Sequence, residues 1–417
     1  MIRAADVLGL PDIRMDWSIR RVSELCEVVN GFPFASDDFA PIGELPLIRI
    51  RDLAADDFET YIPRRCVPSS AIIGNGDVII GMDGDFNSVT WSRGEAALNQ
   101  RLCLLRPRLG VDIRFVAYSL PEHLRVVNDL TYATTVKHLS SGDVRAQVIA
   151  IPPLDEQRQI AEYLDRETGK IDELITKQEQ LVVTLTERRF ASARQLVTRG
   201  LDSQVNFRDS GLEWLDSIPD HWKIGPLKRY GRLSTGGTPS TDVPENFDSD
   251  NGLPWVRPQD IDSSCRDLSW STHLSPLGQK EVPMVPAGSV LVVSTAWSIS
   301  KIGITAVECS TNQQITAVES PDCSEYLYYL LQAAREEILA SMVLNRLPII
   351  GNARLGAVKL PIPPVIEQQA IAKELSSVAE RIDALTHKAR EVVETLRERR
   401  AALISAAVTG KIDVRGL

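Results

Sequence analysis

The segment from Ile151 to Thr198 is written a second time from Ile362 to Thr409. IPPLDEQRQIA (151–161) returns as IPPVIEQQAIA (362–372), Ile171-Asp172 as Ile382-Asp383, and Glu187-Arg188-Arg189 as Glu398-Arg399-Arg400. The offset is 211 residues throughout, so nothing is inserted or lost across either copy. The chain is one unit built twice, a variable block followed by a constant segment. Two related halves make an approximate two-fold relation available, and a ligand with two similar halves could exploit it.

The constant segments read as long helices. In the first, apolar positions fall at Ile160, Leu164, Ile171, Leu174, Leu181 and Leu185, with Glu167 and Gln178 as polar interruptions. The second carries Ile371, Leu375, Val378, Ile382, Leu385, Ala389, Val392, Leu396 and Leu403 in the same phase. Spacings of four and three make this the seam of a coiled coil sustained over about five heptads. Pro153 and Pro364 mark the helix starts, where proline is tolerated. Gly169 is a weak point in the first copy, costing about 1 kcal/mol relative to alanine. Each helix spans roughly 45 residues, or about 65–70 Å.

A helix of that length with an apolar stripe needs a partner. The other copy is available, and an antiparallel pair fits best because the second block must be traversed between them. The competing arrangement packs each helix on its own globular block. Val182, Val183 and Val393 are left over from the seam and imply a face offered to other helices.

Bulk properties narrow the class. At 417 residues the chain exceeds one ordinary domain, and 43% hydrophobic with 24% charged residues is the balance of a globular protein. No apolar run reaches membrane-spanning length, and the start MIRAADVLGLPDIRMDW lacks the plan of a signal peptide. Cys26, Cys66, Cys103, Cys265, Cys309 and Cys323 form no CxxC pair, so a reduced, cytoplasmic protein is expected. The net charge of −10 argues against indiscriminate binding to polyanions. Any DNA surface must then be local, or a partner must supply much of the phosphate grip.

The blocks at 16–150 and 221–361 contain short β-branched runs, Leu47–Ile50, Asp77–Ile80, Val290–Val293 and Ile302–Thr305, punctuated by turn residues. A faint correspondence survives between them. Trp17 begins one and Trp222 the other, and LPLIRIRDL (45–53) answers LPWVRPQDI (253–261). GDVIIG (76–81) answers GSVLVV (288–293), and LNQRLCLL (98–105) answers TNQQITAV (311–318). The framework is shared while the segments after each strand diverge, as in one fold carrying two different recognition loops.

The doubled PP-x-x-EQ-x-x-IA segment, the ERR near each helix end and DSGLEWLDSIPDHW (209–222) resemble the specificity subunit of a type I restriction–modification system. MDGDF (82–86) and STGGTPS (234–240) are similar to loop segments of that family. Met1–Met15 has no clear counterpart before Trp222. The resemblance implies an α+β protein with two β-rich target-recognition domains separated by two long antiparallel coiled-coil helices. The domain reading is recognition domain 1 over 1–150, conserved helix 1 over 151–202, recognition domain 2 over 203–361 and conserved helix 2 over 362–417.

It further implies a protein that does no chemistry. Each recognition domain reads one half of a bipartite double-stranded DNA target, and the helices set the gap and dock two modification (methyltransferase) subunits. S-adenosylmethionine is expected on the modification subunit, and ATP and Mg on a restriction motor-nuclease subunit. A related arrangement, a type IIB-like system whose partner both cuts and methylates, uses the same parts. A coiled-coil adaptor that never touches DNA is the other alternative.

The residues agree with a non-catalytic role. The Pro-Pro pairs at 152–153 and 363–364 sit at helix starts and lack the aromatic that a base-holding methyltransferase loop requires. There is no phosphate-binding GxxxxGK[ST] loop, since Gly169-Lys170 is followed by Ile171. Pro219-Asp220 lacks the acidic-x-Lys of a nuclease. His123, His138, His221, His273 and His387 show no metal-ligand spacing.

DNA readout needs Arg or Lys for guanine, Asn or Gln for adenine, and small hydroxyls near the groove. In the first block the candidates are Phe34, Ser36, Arg49, Arg51, Asp83, Asn87, Arg93, Lys137 and His138. In the second they are Thr235, Thr238, Ser240, Arg257, Gln259, Ser294, Trp297, Lys301, Asn345 and Arg346. Arg49 and Arg51 could equally be the exposed face of a strand, the glycines of STGGTPS a simple turn, and Trp297 a buried ring. Arg188-Arg189 and Arg399-Arg400 lie where the helix dipole favours cations, and pairing with acidic residues of the other helix competes with contact to a modification subunit.

Overall fold

The computed structural model describes residues 16–53, 55, 57–84, 86–130, 138–248, 252–261, 268–295, 301–320, 323–341 and 349–414. The chain forms two compact units, one of Met1–Lys177 with Val392–Leu417 and the other of Gln178–Glu391. Both boundaries fall inside long helices, so each unit holds one β-rich domain, the start of the helix that follows it and the end of the other helix.

In unit 1 the domain runs through β1 (Ser18–Arg21), α1 (Val22–Leu25), β2 (Cys26–Asn30), β3 (Leu45–Ile48), β4 (Tyr61–Ile62) and β5 (Ile72–Ile73). It continues with β6 (Val78–Gly81), β7 (Ser88–Thr90), β8 (Ala96–Leu98), β9 (Leu102–Pro107), α2 (Ile113–Leu130), α3 (Ser141–Ala146) and β10 (Val148–Ile151) into the long helix α4 (Leu154–Arg199). One four-stranded sheet has the order β2-β9-β6-β7 and the other β4-β3-β8-β5, with β3 and β8 parallel. β1 pairs with β10 from Ser18↔Ile151 to Arg21↔Val148, so the chain enters and leaves the domain side by side at the start of α4.

Unit 2 repeats the plan. After the hairpin β11 (Phe207–Leu212) and β12 (Leu215–Pro219) come β13 (Lys223–Pro226), β14 (Arg232–Thr235), β15 (Phe247–Asp248), β16 (Leu253–Val256) and β17 (His273–Leu274). Next are β18 (Val290–Val293), β19 (Ile302–Ile304), β20 (Ser310–Thr311), β21 (Ile315–Glu319), α5 (Ser324–Ala333), α6 (Arg335–Ala340), α7 (Asn352–Ala357), β22 (Lys359–Ile362) and the long helix α8 (Val365–Val408). Its sheets have the orders β14-β21-β18-β19 and β15-β17-β16-β20, and β13 pairs with β22 as β1 does with β10.

The continuous apolar runs of the sequence are explained by strands buried on both faces. Successive side chains of a strand point to opposite sides. In β6, Val78 and Ile80 join the core against the helices, while Ile79 joins a second core with Ile48, Trp91 and Leu98. In β18, Val290 and Val292 face the helix-side core, and Leu291 and Val293 the other. The helix-side core of unit 1 includes Ile160 and Leu164 of α4 with Ala407 and Val408 of α8; that of unit 2 includes Ala193 and Val197 of α4 with Ile371 and Leu375 of α8. The two helices therefore run antiparallel within each unit. Each also packs on a β-domain at both of its ends, so both arrangements considered from the sequence are present.

The PP-x-x-EQ segment is a clamp. Gln157 Nε2 donates to the Pro152 carbonyl at 2.9 Å, and its Oε1 accepts from the Asp112 amide at 2.9 Å. Gln368 Nε2 repeats the first bond to Pro363 at 2.9 Å. Both amides are buried, where an unmet hydrogen bond is expensive; that of Gln157 is satisfied at both ends, while Gln368 Oε1 has no partner. Glu367 adds bonds from His221 Nε2 at 2.8 Å and Trp222 Nε1 at 3.0 Å.

The ERR and Ile-Asp motifs meet. Arg189 bonds Asp383 at 2.8 Å in unit 2, and Arg400 bonds Asp172 at 2.8 Å in unit 1. The 211-residue offset carries one pair onto the other.

The predicted seam needs a correction. Ile160, Leu164, Ile171, Leu185, Ile371, Leu375 and Ile382 are buried, and Val378, Leu396 and Leu403 are half-buried. Leu174, Leu181, Leu385 and Val392 are 47%, 43%, 52% and 43% exposed. The inward positions are instead Thr168, Ile171, Ile175, Gln178, Val182, Leu185 and Arg189 in α4, with Ala379, Ile382, Thr386, Ala389, Val393, Leu396 and Arg400 in α8. Two apolar stripes lie one residue apart, about 100° around the helix, and the buried one passes through polar Gln178 and Thr386. Val182 and Val393, read as leftovers, belong to the seam.

This placement separates two leucines ten residues apart. Leu164→Ala removes a fully buried side chain and is expected to cost about 2–5 kcal/mol. Leu174→Ala is expected to change stability by no more than about 0.5 kcal/mol. Denaturant midpoints of the two variants check this, and equal losses would return Leu174 to the seam.

Candidate nucleic-acid interface

The same short scaffold supports the loops of each domain. In unit 1, β3 and β8 are parallel through Leu47↔Ala97 and Ile48↔Leu98; in unit 2, β16 and β20 are parallel through Trp255↔Ser310 and Val256↔Thr311. Both β8 and β20 run into an Asn-Gln turn, Asn99-Gln100 and Asn312-Gln313. Four backbone hydrogen bonds fix each turn. Asn99 N bonds Ile48 O at 3.2 Å, Leu102 N bonds Asn99 O at 3.0 Å, Gly31 N bonds Leu102 O at 2.9 Å and Phe32 N bonds Leu98 O at 2.9 Å. Their counterparts are Asn312 N to Val256 O at 3.1 Å, Ile315 N to Asn312 O at 3.1 Å, Gly236 N to Ile315 O at 3.1 Å and Gly237 N to Thr311 O at 2.8 Å. A Cβ on Gly31 would collide with the Asn99 carbonyl, and one on Gly236 with the Thr311 carbonyl, so the close approach requires glycine at both. This gives the glycine of the STGGTPS loop a packing role.

Beside each turn lies an Arg-x-x-Asp clamp. Arg49 N and Nε both donate to Asp52 Oδ2 at 3.0 Å, and an Arg49 guanidinium nitrogen donates to Thr60 Oγ1 at 2.8 Å. Arg257 N donates to Asp260 Oδ2 at 2.8 Å, with its Nε 3.6 Å away. Asp52 and Asp260 are buried carboxylates, which require a cationic or hydrogen-bonded partner. Arg49 supplies it with its guanidinium, which is thereby committed within the domain, whereas Arg257 supplies it mainly through its backbone amide, with the guanidinium Nε left without a hydrogen bond.

The reading of Ser294 is corrected, and Phe34, Arg93 and Lys301 are half-buried with partners inside their own domain. Ser294 is buried, with its Oγ donating to the Gln314 carbonyl at 3.1 Å. Phe34 packs on the small core of Leu45, Leu47 and Ile62, edge-on to the exposed ring of Phe32. Arg93 lies 4.3 Å above the Trp91 ring and 4.8 Å from that of Phe58, and donates to the Asp52, Leu53 and Ala55 carbonyls. Lys301 is half-buried, with Nζ 3.3 Å from the Pro258 carbonyl.

The remaining candidates face solvent or lie outside the described residues. Ser36, Arg51, Asn87 and His138 are exposed in unit 1, as are Thr235, Thr238, Ser240 and Gln259 in unit 2. Arg51 pairs with Glu59 at 3.1 Å, an exposed contact of little energetic weight. Asp83 joins His138 Nδ1 at 2.7 Å and Arg101 at 3.5 Å, and with the bond from Leu139 N to Met82 O it pins the 82–84 segment to 138–139. Unit 2 repeats that closure through Thr295↔Ile349 and the bond from Ile350 N to Ser294 O. Ser240 N is held by Glu281, and Thr238 Oγ1 contacts Gln313 Oε1. Lys137, Trp297, Asn345 and Arg346 lie outside the described residues.

Burial pushes the Cys26 and Cys103 thiols up to about 12 and that of Cys309 to about 11, which leaves no thiolate at neutral pH. Among the described residues no cluster of His, Cys, Asp and Glu could hold a metal, and no helix is long and apolar enough to cross a membrane. A cavity of about 1000 Å³ in unit 1 lies between α2 and the helices, away from the Asn-Gln turn. Of the arginines on its wall, Arg114, Arg397 and Arg400 pair with Asp165, Glu394 and Asp172, while Arg125 is exposed.

The clamps yield a test. Asp52→Ala leaves Arg49 without its buried partner and is expected to destabilise unit 1 by about 3 kcal/mol, while Arg51→Ala changes stability by less than about 1 kcal/mol. Urea titration of both variants distinguishes a clamp from two equivalent surface charges.

Comparison with known proteins matches this doubled architecture. A sequence profile described as the type I restriction modification DNA specificity domain matches residues 14–183 and again 219–395. The chain is 27% identical to the type I restriction enzyme EcoBI specificity subunit of Escherichia coli, over 98% of this chain and 89% of the relative. It is 21% identical to the putative type I restriction enzyme MjaX specificity subunit of Methanocaldococcus jannaschii, over 97% of this chain and 95% of that one. Its fold is shared with a chain from a structural study of assembly and conformational transition in a type I R-M system, with a TM-score of 0.72, 18% identity, and 96% and 100% of the two chains covered. The HsdS subunit from Thermoanaerobacter tengcongensis gives a TM-score of 0.50 at 18% identity, with 97% and 99% covered. With more than half of its length matched in two copies, the chain belongs to the type I restriction modification DNA specificity family.

Proposed function

We propose that this chain chooses the DNA site for a type I restriction–modification complex, reading a bipartite target with one half-site per recognition domain. The observation that carries the reading is the repetition itself. Two domains share the order of one four-stranded sheet, the parallel strand pair of the other, the Asn-Gln turn and the Arg-x-x-Asp spacing, yet differ in the loops those parts support. Common supports with divergent loops are what two readers of different base sequences require.

In this reading the chain does no chemistry and acts in the cytoplasm. Two modification subunits carry S-adenosylmethionine and methylate the target, and restriction motor-nuclease subunits carry ATP and Mg. The exposed apolar residues of the helices give the modification subunits their docking face. Leu174 and Val392 offer it in unit 1, Leu181 and Leu385 in unit 2, and the repeat offset relates the two sets. The net charge of −10 fits a division of labour in which the partners supply most of the phosphate grip. The constant helices act as the ruler between half-sites.

Co-expression with the cognate modification subunit, followed by genome-wide mapping of methyladenine, tests the assignment. A split motif is the expected product, and methylation without a bipartite motif would refute it. Inserting four residues after Gln178 and four after Ala389 is expected to widen the gap in that motif and leave both halves unaltered. An unchanged gap would remove the ruler.

A further inference from the structure

We propose that Gln100 and Gln313, at the tips of the twin Asn-Gln turns, donate their side-chain amides to DNA backbone phosphates, one in each half-site. This inference rests on the DNA-recognition reading and gives each domain a positioning residue that is the same in both.

Each turn is held far more firmly than its position at the end of a two- or three-residue strand demands. Four backbone bonds lock it, and a glycine on the facing segment is required for the approach in each unit. Locking of this kind orders whatever the turn presents. What it presents is a glutamine, exposed in both units. The apolar core contacts of the turn are made by Leu98 and Leu102 in one unit and Ile315 in the other, so neither glutamine is needed for them.

The surroundings of the two glutamines differ. Pro33 and Phe34 of the facing segment correspond to Thr238 and Pro239, and Arg101 corresponds to Gln314. A residue kept while its neighbours change cannot encode the difference between two half-sites. It serves what the half-sites share, and every step of duplex DNA shares the phosphate. A neutral amide is also a suitable donor on an acidic chain, since it adds a hydrogen bond without a long-range field.

In unit 2 the amide is already oriented. The contact between Thr238 Oγ1 and Gln313 Oε1 occupies the carbonyl end and leaves Nε2 as the outward donor. Pro33 in unit 1 has no hydroxyl with which to do the same. The amide at position 313 is therefore pre-organised, and its loss should weigh more than that of Gln100.

The test uses the full complex with its modification subunits. Affinity is measured on the cognate duplex and on duplexes carrying single base changes in either half-site, for Gln100→Ala, Gln313→Ala and the corresponding glutamates. The expected result is a loss of about tenfold on every duplex for Gln313→Ala and a smaller uniform loss for Gln100→Ala, with the ranking of duplexes preserved. The glutamates, which set a carboxylate against a phosphate, should lose more than the alanines. Thermal midpoints should not move. Affinity within twofold of wild type overturns the proposal, as does a loss that disappears on duplexes changed at one particular base, which would make the glutamine a reader of that base. A loss that tracks a falling midpoint overturns it in favour of a structural role. A wild-type complex that fails to distinguish the duplexes would overturn the parent reading, whereas a discriminating wild type with unaffected variants overturns this inference alone.

Discussion

An apolar stripe running the length of a 46-residue helix must be covered, and most of this molecule follows from how that is done. The ends of α4 and α8 are covered by β-domains, and the stretches between run antiparallel to one another within each unit. Apolar contact by itself tolerates sliding. The Arg189–Asp383 and Arg400–Asp172 bonds do not, because displacement by one turn leaves the carboxylates facing the wrong residues. Arg189 keeps only 13% of its side chain exposed, so a misplaced partner there would leave a largely desolvated cation. Weak as stabilisers, such pairs are effective as selectors of register.

Much of this was legible in the residues. The repeat, the helix starts at Pro153 and Pro364, and the buried strands around Val78 and Val290 could be read directly because each depends on local pattern. The seam was half legible. Leu174, Leu181, Leu385 and Val392 satisfy a heptad count as well as Ile175, Val182 and Val393 do, and a one-residue ambiguity turns the helix by about 100°. Only tertiary burial chooses between the stripes, and it chose the one containing Gln178 and Thr386. The unit boundaries at 177/178 and 391/392 leave no mark on a sequence whose helices continue unbroken through them.

The candidate interface was legible in its framework and not in its side chains. Arg49 and Arg257 are residues of the groove-reading type, yet Asp52 and Asp260 stand three residues on; Asp52 takes the Arg49 guanidinium, and Asp260 takes the Arg257 amide with its side chain nearby. Arg93 is claimed in a different way, by the neighbouring Trp91 ring together with Phe58 and three carbonyls distant in sequence, and no local pattern announces the distant partners. Ser294 ends a fully buried strand and shares its fate. The residues left facing outward are mainly small and polar, and they rest on supports that are alike in both domains. Constancy of support and variety of loop are thus features of the same few residues on either side of each short strand.

The division into units has a kinetic consequence. Unit 2 is drawn from one unbroken stretch, Gln178–Glu391, and every partner it needs is present once that stretch exists. Unit 1 is discontinuous. Its β1 must wait for β10, and its core remains open beside Ile160 and Leu164 until Ala407 and Val408 arrive, more than two hundred residues later. Contacts that distant are slow to form and leave apolar surface uncovered meanwhile. During synthesis, the half of the chain made first is therefore the half completed last.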